Sequence, residues 1–161
     1  QAGRHCGCHS ANRRGDGGQP GPHGDQRYSD GSRVRITVNE ARGYFAHVSQ
    51  QAKSDISPED LPDDGVQYWA DSGVCVALHN AMWPRVWMAH VAVNPAAWGQ
   101  TKEPALRILR AFWQAERPEL IVGWTSESNR AAIAFARRLG FTEYGRMDLP
   151  SGRVICQEWR P

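Results

Sequence analysis

No stretch of this chain is apolar over anything near the roughly 20 residues that a membrane-spanning helix needs. Nor does a charged segment lead into an apolar run of the kind that opens a secretory signal. Membrane insertion and signal-directed secretion both lack support, and a cytoplasmic location is the expectation. Cysteine is scarce: four in 161 residues, with Cys6 and Cys8 too close together for the disulfide framework of a small secreted domain. Neither sign of charge dominates, 19 Lys and Arg against 17 Asp and Glu giving a net +2. Without a dense basic stripe a nucleic-acid partner is not expected, and any anion site has to be local.

A sharper absence is confined to residues 1–33, which contain no Val, Ile, Leu, Phe, Met or Trp but hold half of the sixteen glycines and half of the six histidines. Such a segment cannot build a core. It is expected to be a flexible tail, and since it opens on Gln1 it reads as a processed leader. Its His5-Cys6-Gly7-Cys8-His9 cluster crowds four ligand types into five residues, too tight for one tetrahedral site, so no metal is expected. All seven tryptophans fall between Trp69 and Trp159, which places one folded domain at Val34 to Pro161. A domain of about 130 residues buries roughly two-thirds of its surface, enough for an independent core.

Within that domain Val34, Ile36 and Val38 alternate with polar residues at the period of a half-buried strand. Ala41, Tyr44, Phe45, Val48 and Ala52 follow at helical spacing behind Asn39, a good N-cap. Three apolar stretches, Val66 to Ala70, Val74 to His79 and Val86 to Val93, are separated by turn-like segments and predict an antiparallel meander. A helix is expected from about Pro104 to Glu116, a short buried strand at Leu120 to Trp124, and a second helix from near Ser128 to Leu139, closed by Gly140. Two last strands flank the Pro150-Ser151-Gly152 turn. The fold class is therefore α/β (α+β): a mixed, mostly antiparallel sheet of six to seven strands flanked by helices.

Two segments carry chemistry. Val91-Ala92-Val93-Asn94-Pro95-Ala96-Ala97-Trp98-Gly99-Gln100-Thr101 is a strand that ends in a small-residue loop and opens a helix, where backbone amides make an anion site. Asn129-Arg130-Ala131-Ala132-Ile133-Ala134-Phe135 runs on to Leu139-Gly140-Phe141 after the next strand. In these residues the chain resembles the GNAT superfamily of acyl-CoA-dependent N-acetyltransferases, and its shortness and Trp-Gly loop look most like phage or prophage members. The resemblance implies acetyl-CoA as co-substrate and an amine as acceptor. It implies that the Val91, Ala92 and Val93 backbone pairs with the pantetheine arm like an added strand. Trp98, Gly99, Gln100, Thr101 and Lys102 would cradle the pyrophosphate, Asn129 would bond the cofactor arm, Arg130 would reach a phosphate, and Phe135 would line the site. Trp98, Thr101 and Glu103 depart from the family's loop pattern, and Ala136 stands where many members place a tyrosine that protonates the leaving thiolate.

His90, next to Val91, is the candidate general base, and His79 in the neighbouring strand is the second, each weighed against a hydrogen-bonded sheet histidine. Ser126 and Glu127 are either acceptor ligands or helix caps, with Ser128 the stronger cap. Cys75 and Cys156 read as buried thiols. Trp83, Trp87 and Trp98 pack in the core or at a cleft rim. A catalytic N-acyltransferase leads this reading. A noncatalytic interaction or virion-assembly protein, and a DNA-modifying enzyme, remain as alternatives.

Overall fold

The computed structural model of the chain describes residues 34–51, 57–81 and 83–161. The glycine-rich segment and its His-Cys cluster lie outside the described residues. Among the described residues seven strands form one sheet: β1 Val34–Ile36, β2 Val66–Asp71, β3 Val74–Asn80, β4 Val86–Val93, β5 Leu120–Ser126, β6 Thr142–Leu149 and β7 Gly152–Trp159, in the spatial order β1-β2-β3-β4-β5-β7-β6. Every neighbouring pair is antiparallel except β4 and β5. The helices are α1 Val38–Phe45, the single turn α2 Val48–Gln51, α3 Lys102–Glu116 and α4 Arg130–Arg138. The mixed, mostly antiparallel sheet flanked by helices matches the sequence expectation.

The first helix starts earlier than its apolar spacing suggests. Thr37, not Asn39, is the N-cap: its hydroxyl accepts from the Glu40 amide, and the Glu40 carboxylate accepts from the Thr37 amide at 2.8 Å. This reciprocal box satisfies two orphan donors and holds the Glu40 carboxyl below its usual pKa. It also ends β1 at Ile36. Asn39 instead accepts from the Arg42 guanidinium at 2.7 Å. The helical run breaks after Phe45, which leaves Val48 on α2 exposed rather than buried as its spacing predicts. α3 begins at Lys102, two residues before Pro104. Proline is harmless there, because first-turn amides have no partner within the helix.

The helices cover opposite faces of the sheet. α1 packs on Tyr68, Cys75, Ala77 and Ala92, while α3 and the end of α4 pack on Val74, Val76, Leu78, Ile121 and Trp159. Period-two alternation along β3 splits its residues cleanly between these two layers. Cys75 and Cys156 are buried and unpaired, and burial pushes the Cys75 thiol up to about 12. Trp87 packs edge-on against Phe112 with ring centroids 5.0 Å apart, whereas Trp83 and Trp98 are exposed.

One ion pair ties α3 to the β2–β3 hairpin. Arg107 donates to both carboxylate oxygens of Asp71 at 2.8 and 3.1 Å, and the Asp71 side chain has no solvent exposure. Removing the guanidinium strands a buried carboxylate, a change worth about 3 kcal/mol or more. Arg107→Met should therefore lower unfolding stability in urea by about 3 kcal/mol. Ser72→Ala, which removes only the 2.7 Å hydroxyl bond to Asp71, should cost about 1 kcal/mol.

Candidate active site

β4 and β5 pair only at Val86↔Leu120, Trp87↔Ile121 and Met88↔Val122, yet β4 runs on to Val93 and β5 to Ser126. Beyond Met88 the strands fork. A cleft of about 510 Å³ opens between them, and α4 contributes Asn129, Ala132, Phe135 and Ala136 to its wall.

The backbone polarity of the forked edge follows from the register with β3. Asn94 donates to the Gly73 carbonyl at 2.8 Å and Ala81 to the Val86 carbonyl at 2.7 Å, so the even-numbered residues of β4 bond to β3. In an antiparallel ladder bonded and non-bonded pairs alternate. The amides of Val91 and Val93 therefore turn away from β3 into the cleft, and those of Ala92 do not. Ala92 also points its side chain into the buried layer under α1. Gln50 on α2 caps one of these open groups, its Nε2 donating to the Val93 carbonyl at 3.2 Å.

The loop after β4 is held by the hairpin before it. Ser72 and Gly73, with φ of 42° and 83°, form the tight β2–β3 turn. A Cβ on Gly73 would stand 2.6 Å from the Ala97 Cβ. That close seat lets the Pro95–Ala97 turn lie against the hairpin, with the Asn94 side chain accepting from the Ala96 amide at 3.0 Å. Gly99 follows at φ 91°, a left-handed conformation that favours glycine, with no atom within 4 Å of where a Cβ would stand. The chain then enters α3 through buried Thr101, whose side chain makes no cap bond. The free amides of the first α3 turn thus open beside an uncluttered loop.

His90 sits on the α1 face of β4, where the cleft meets a second cavity of about 670 Å³ lined by Tyr68, His79, Asp60 and Asp64. Its Nε2 lies 3.0 Å from Nε2 of His79, with the rings nearly parallel. The His79 Nδ1 lies 3.1 Å from the Asn80 carbonyl, which can only accept. His79 therefore carries its proton on Nδ1 when neutral and presents a bare Nε2. The His90 Nε2–H donates to it, and the His90 Nδ1 is left with a free lone pair. Burial first, and the nearby His79 second, push the His90 pKa down to about 4.

Of the sequence candidates, the cleft brings together His90, Val91, Val93, Trp98, Gly99, Asn129 and Phe135. His79 faces the second cavity, while Gln100, Thr101 and Lys102 lie beside the cleft at the α3 entry. Arg130 is exposed and not part of the wall, where Arg138 stands instead. Asn129, rather than Ser128, caps α4, its Oδ1 accepting from the Ala132 amide at 3.1 Å. Its Nδ2 donors remain for a ligand. Ser126 and Ser128 bond each other, and Glu127 bonds Arg146. Sequence reasoning missed Gln50 and Gln157, both of which line the cleft. Gln157 had a signal: it is the polar residue between Ile155 and Trp159 on the inward side of an apolar strand.

No family model matches the chain, and no curated protein matches it. Solved structures do match in fold. A ribosomal-protein-S5-alanine acetyltransferase from Vibrio fischeri superposes with a TM-score of 0.62 at 12% identity, covering 80% of this chain and 94% of that one. The aminoglycoside acetyltransferase AAC(6')-Ib in complex with coenzyme A gives 0.63 at 13% identity, covering 80% and 93%. A spermidine N-acetyltransferase from Vibrio cholerae in complex with CoA and spermine gives 0.63 at 11% identity, covering 80% and 95%. The chain has the GNAT acetyltransferase fold. Among the described residues no helix is long and apolar enough to cross a membrane.

The depressed His90 pKa has a consequence for stability. The fold holds His90 neutral down to about pH 4, whereas the unfolded chain protonates it near 6.5. Stability present above pH 6.5 is therefore lost progressively as pH falls toward 4, by on the order of 2–3 kcal/mol. His90→Asn should flatten the stability profile between pH 6.5 and about 4.5, above the range where most carboxylates titrate, as read by urea unfolding at each pH.

Proposed function

We propose that this protein is an N-acetyltransferase that passes the acetyl group of acetyl-CoA directly to an amine. The observation that carries the proposal is the β4–β5 fork, with the Val91 and Val93 amides turned into a cleft that runs from His90 to the Gly99 loop. Coenzyme A is a long amide-bearing arm ending in a diphosphate, and the fit is chemical. Val91 and Val93 offer a strand edge to the arm, and the α3 entry with Gly99 to Lys102 offers donors and a cation to the phosphates. Bound there, acetyl-CoA supplies an activated acyl thioester. Structures of the same fold solved in complex with coenzyme A support coenzyme A as the ligand.

The chain's own groups then divide the work. An amine arrives as an ammonium ion, and Asp60 and Asp64 at the second cavity make its mouth electronegative. At the junction His90 is already neutral, so its Nδ1 can take the amine proton. As His90 becomes cationic, its Nε2–H bond to His79 and the His79 bond to the Asn80 carbonyl spread the charge toward solvent. The Val91 N–H, preset on the strand edge, polarises the thioester carbonyl at no reorganisation cost. Ala136 has no proton to give, and among the described residues no activated nucleophile lines the cleft, which favours direct transfer.

Calorimetry on the full chain should detect acetyl-CoA binding, weakened about tenfold or more by Gly99→Asp, which sets a carboxylate beside the phosphates. Absence of binding by the unaltered protein would return it to a noncatalytic role. With any amine that supports turnover, His90→Ala should lower kcat at least about tenfold, the lower part of the range for lost general base catalysis, while CoA affinity stays nearly unchanged. Because His90 titrates near 4, any rise in rate above pH 6 should persist in that variant and belong to the acceptor's own ammonium. Equal turnover of the two proteins would remove His90 from the mechanism.

A further inference from the structure

Gln157 is 1% exposed, and its Nε2 is the one fully buried side-chain nitrogen or oxygen without a hydrogen-bond partner among the described residues. The other amide atom is engaged, Oε1 accepting from the Thr125 hydroxyl at 3.2 Å. An unpaired buried donor is costly, about 1–3 kcal/mol by general measure, and folds rarely keep one without use. This one lines the acyl cleft at its closed end. Its register partner on β5 is Gly123, one residue past the last β4–β5 pair, which puts no side chain of its own across from it.

The geometry points to Gln157 as a hydrogen-bond donor to the sulfur of the coenzyme A thioester, stabilising the thiolate as it departs. The inference rests on the acetyl-CoA reading of the cleft. It draws on the two-faced construction of the site. His90 shares the α1 face of β4 with Ala92, whereas Gln157 shares its face with Trp159, on the α3 and α4 side. A nucleophile deprotonated by His90 approaches from one face of the sheet and leaves the other to the departing group. On that second face Ala132, Phe135 and Ala136 of α4 cannot donate a hydrogen bond, while Arg138, also in the wall, is exposed at the last turn of the helix. Phe141, which stands 3.7 Å from a Cβ built on Gly123, donates its amide to the Ala136 carbonyl and so joins Gly123 to this wall.

The step balances without an acid at Gln157. The ammonium first loses one proton to solvent; the neutral amine's lone pair then forms the new C–N bond, a second amine proton passes to His90 Nδ1, and the C–S bond breaks with its electron pair going to sulfur. Gln157 gives up no proton; it shares the Nε2–H with the anionic sulfur. The thiolate takes a proton from solvent on release and His90 returns its own, so amine and thioester become amide and thiol.

The test needs no knowledge of the acceptor. Free coenzyme A is added to the full-length protein, and its bound thiol is titrated by thiolate absorbance in the ultraviolet. A hydrogen bond to the anion lowers the bound thiol's pKa, and Gln157→Met, of similar length but without the donor, should raise it by about one unit. Gln157→Glu should raise it further by placing a carboxylate there. The free Gln157→Met protein should melt within about 2 °C of the unaltered one or higher, because an unpaired polar group has been removed. Equal thiol pKa values in the unaltered and Met proteins, both with coenzyme A bound, would overturn the role of Gln157 and leave the acetyl-CoA reading standing. A lower melting temperature with no change in thiol pKa would make Gln157 structural. Failure of the unaltered protein to bind coenzyme A would overturn both readings together.

Discussion

Everything in this molecule is arranged around a ladder that stops early. Three parallel pairs hold β4 to β5, and past Met88↔Val122 the two strands diverge while still held on their outer edges by β3 and β7. A sheet normally hides its peptide groups in the next strand. Among the described residues the outward groups of Val91 and Val93 have no strand to bond, and the Gln50 side chain donates to the Val93 carbonyl. An unpaired edge inside a molecule is tolerable where a ligand or water takes the place of the missing strand. The surrounding elements keep the fork open. Gly123 puts no side chain into it, α4 places Ala132, Phe135, Ala136 and Arg138 along it, and the Asp71–Arg107 pair fixes α3 against the hairpin that seats the adjoining loop.

Because the fork cuts through the sheet, it joins two environments that a closed sheet would separate. On the α1 side lie a histidine pair and an acidic cavity mouth; on the α3 and α4 side lie Ala132, Phe135 and Ala136 and the unpaired Gln157 amide. The electrostatics of the two sides suit opposite tasks. A buried neutral imidazole with a free lone pair is suited to receiving a proton, and a preset N–H to meeting growing negative charge. Desolvation creates both tendencies, lowering the affinity of His90 for a proton and making the Gln157 donor costly to leave unused.

Most of the architecture was legible in the sequence because it rests on periodicity and turn chemistry. The alternation of Val74 to His79, the Asp71-Ser72-Gly73 turn and the face of α3 formed by Ala105, Ile108, Leu109 and Phe112 all report their own partners. What failed depends on local competition. The Thr37–Glu40 box outbid Asn39 for the start of α1, and Asn129 outbid Ser128 for α4, each by geometry that composition does not rank. The fork does not show in periodicity; a cleft between the β4 and β5 ends follows only from the family resemblance. Whether two strands stay paired depends on what packs above and below them, and β4 reads the same in sequence whether its edge is covered or open. His90 and His79 stood out as residue types, but their 3.0 Å contact comes from the β3–β4 register, and the value of Gln157 comes from having no partner.

Residue-resolved amide hydrogen exchange, with and without coenzyme A, tests the fork most directly. If coenzyme A completes the broken ladder, exchange at Val91 and Val93 should slow on binding, together with the amides of Gly99 to Glu103 at the α3 entry. Ala92, already bonded toward β3, should change little, and β6 on the far edge should not change at all. Protection confined to other surfaces, or binding that leaves Val91 and Val93 exchanging at their free rates, would contradict the account.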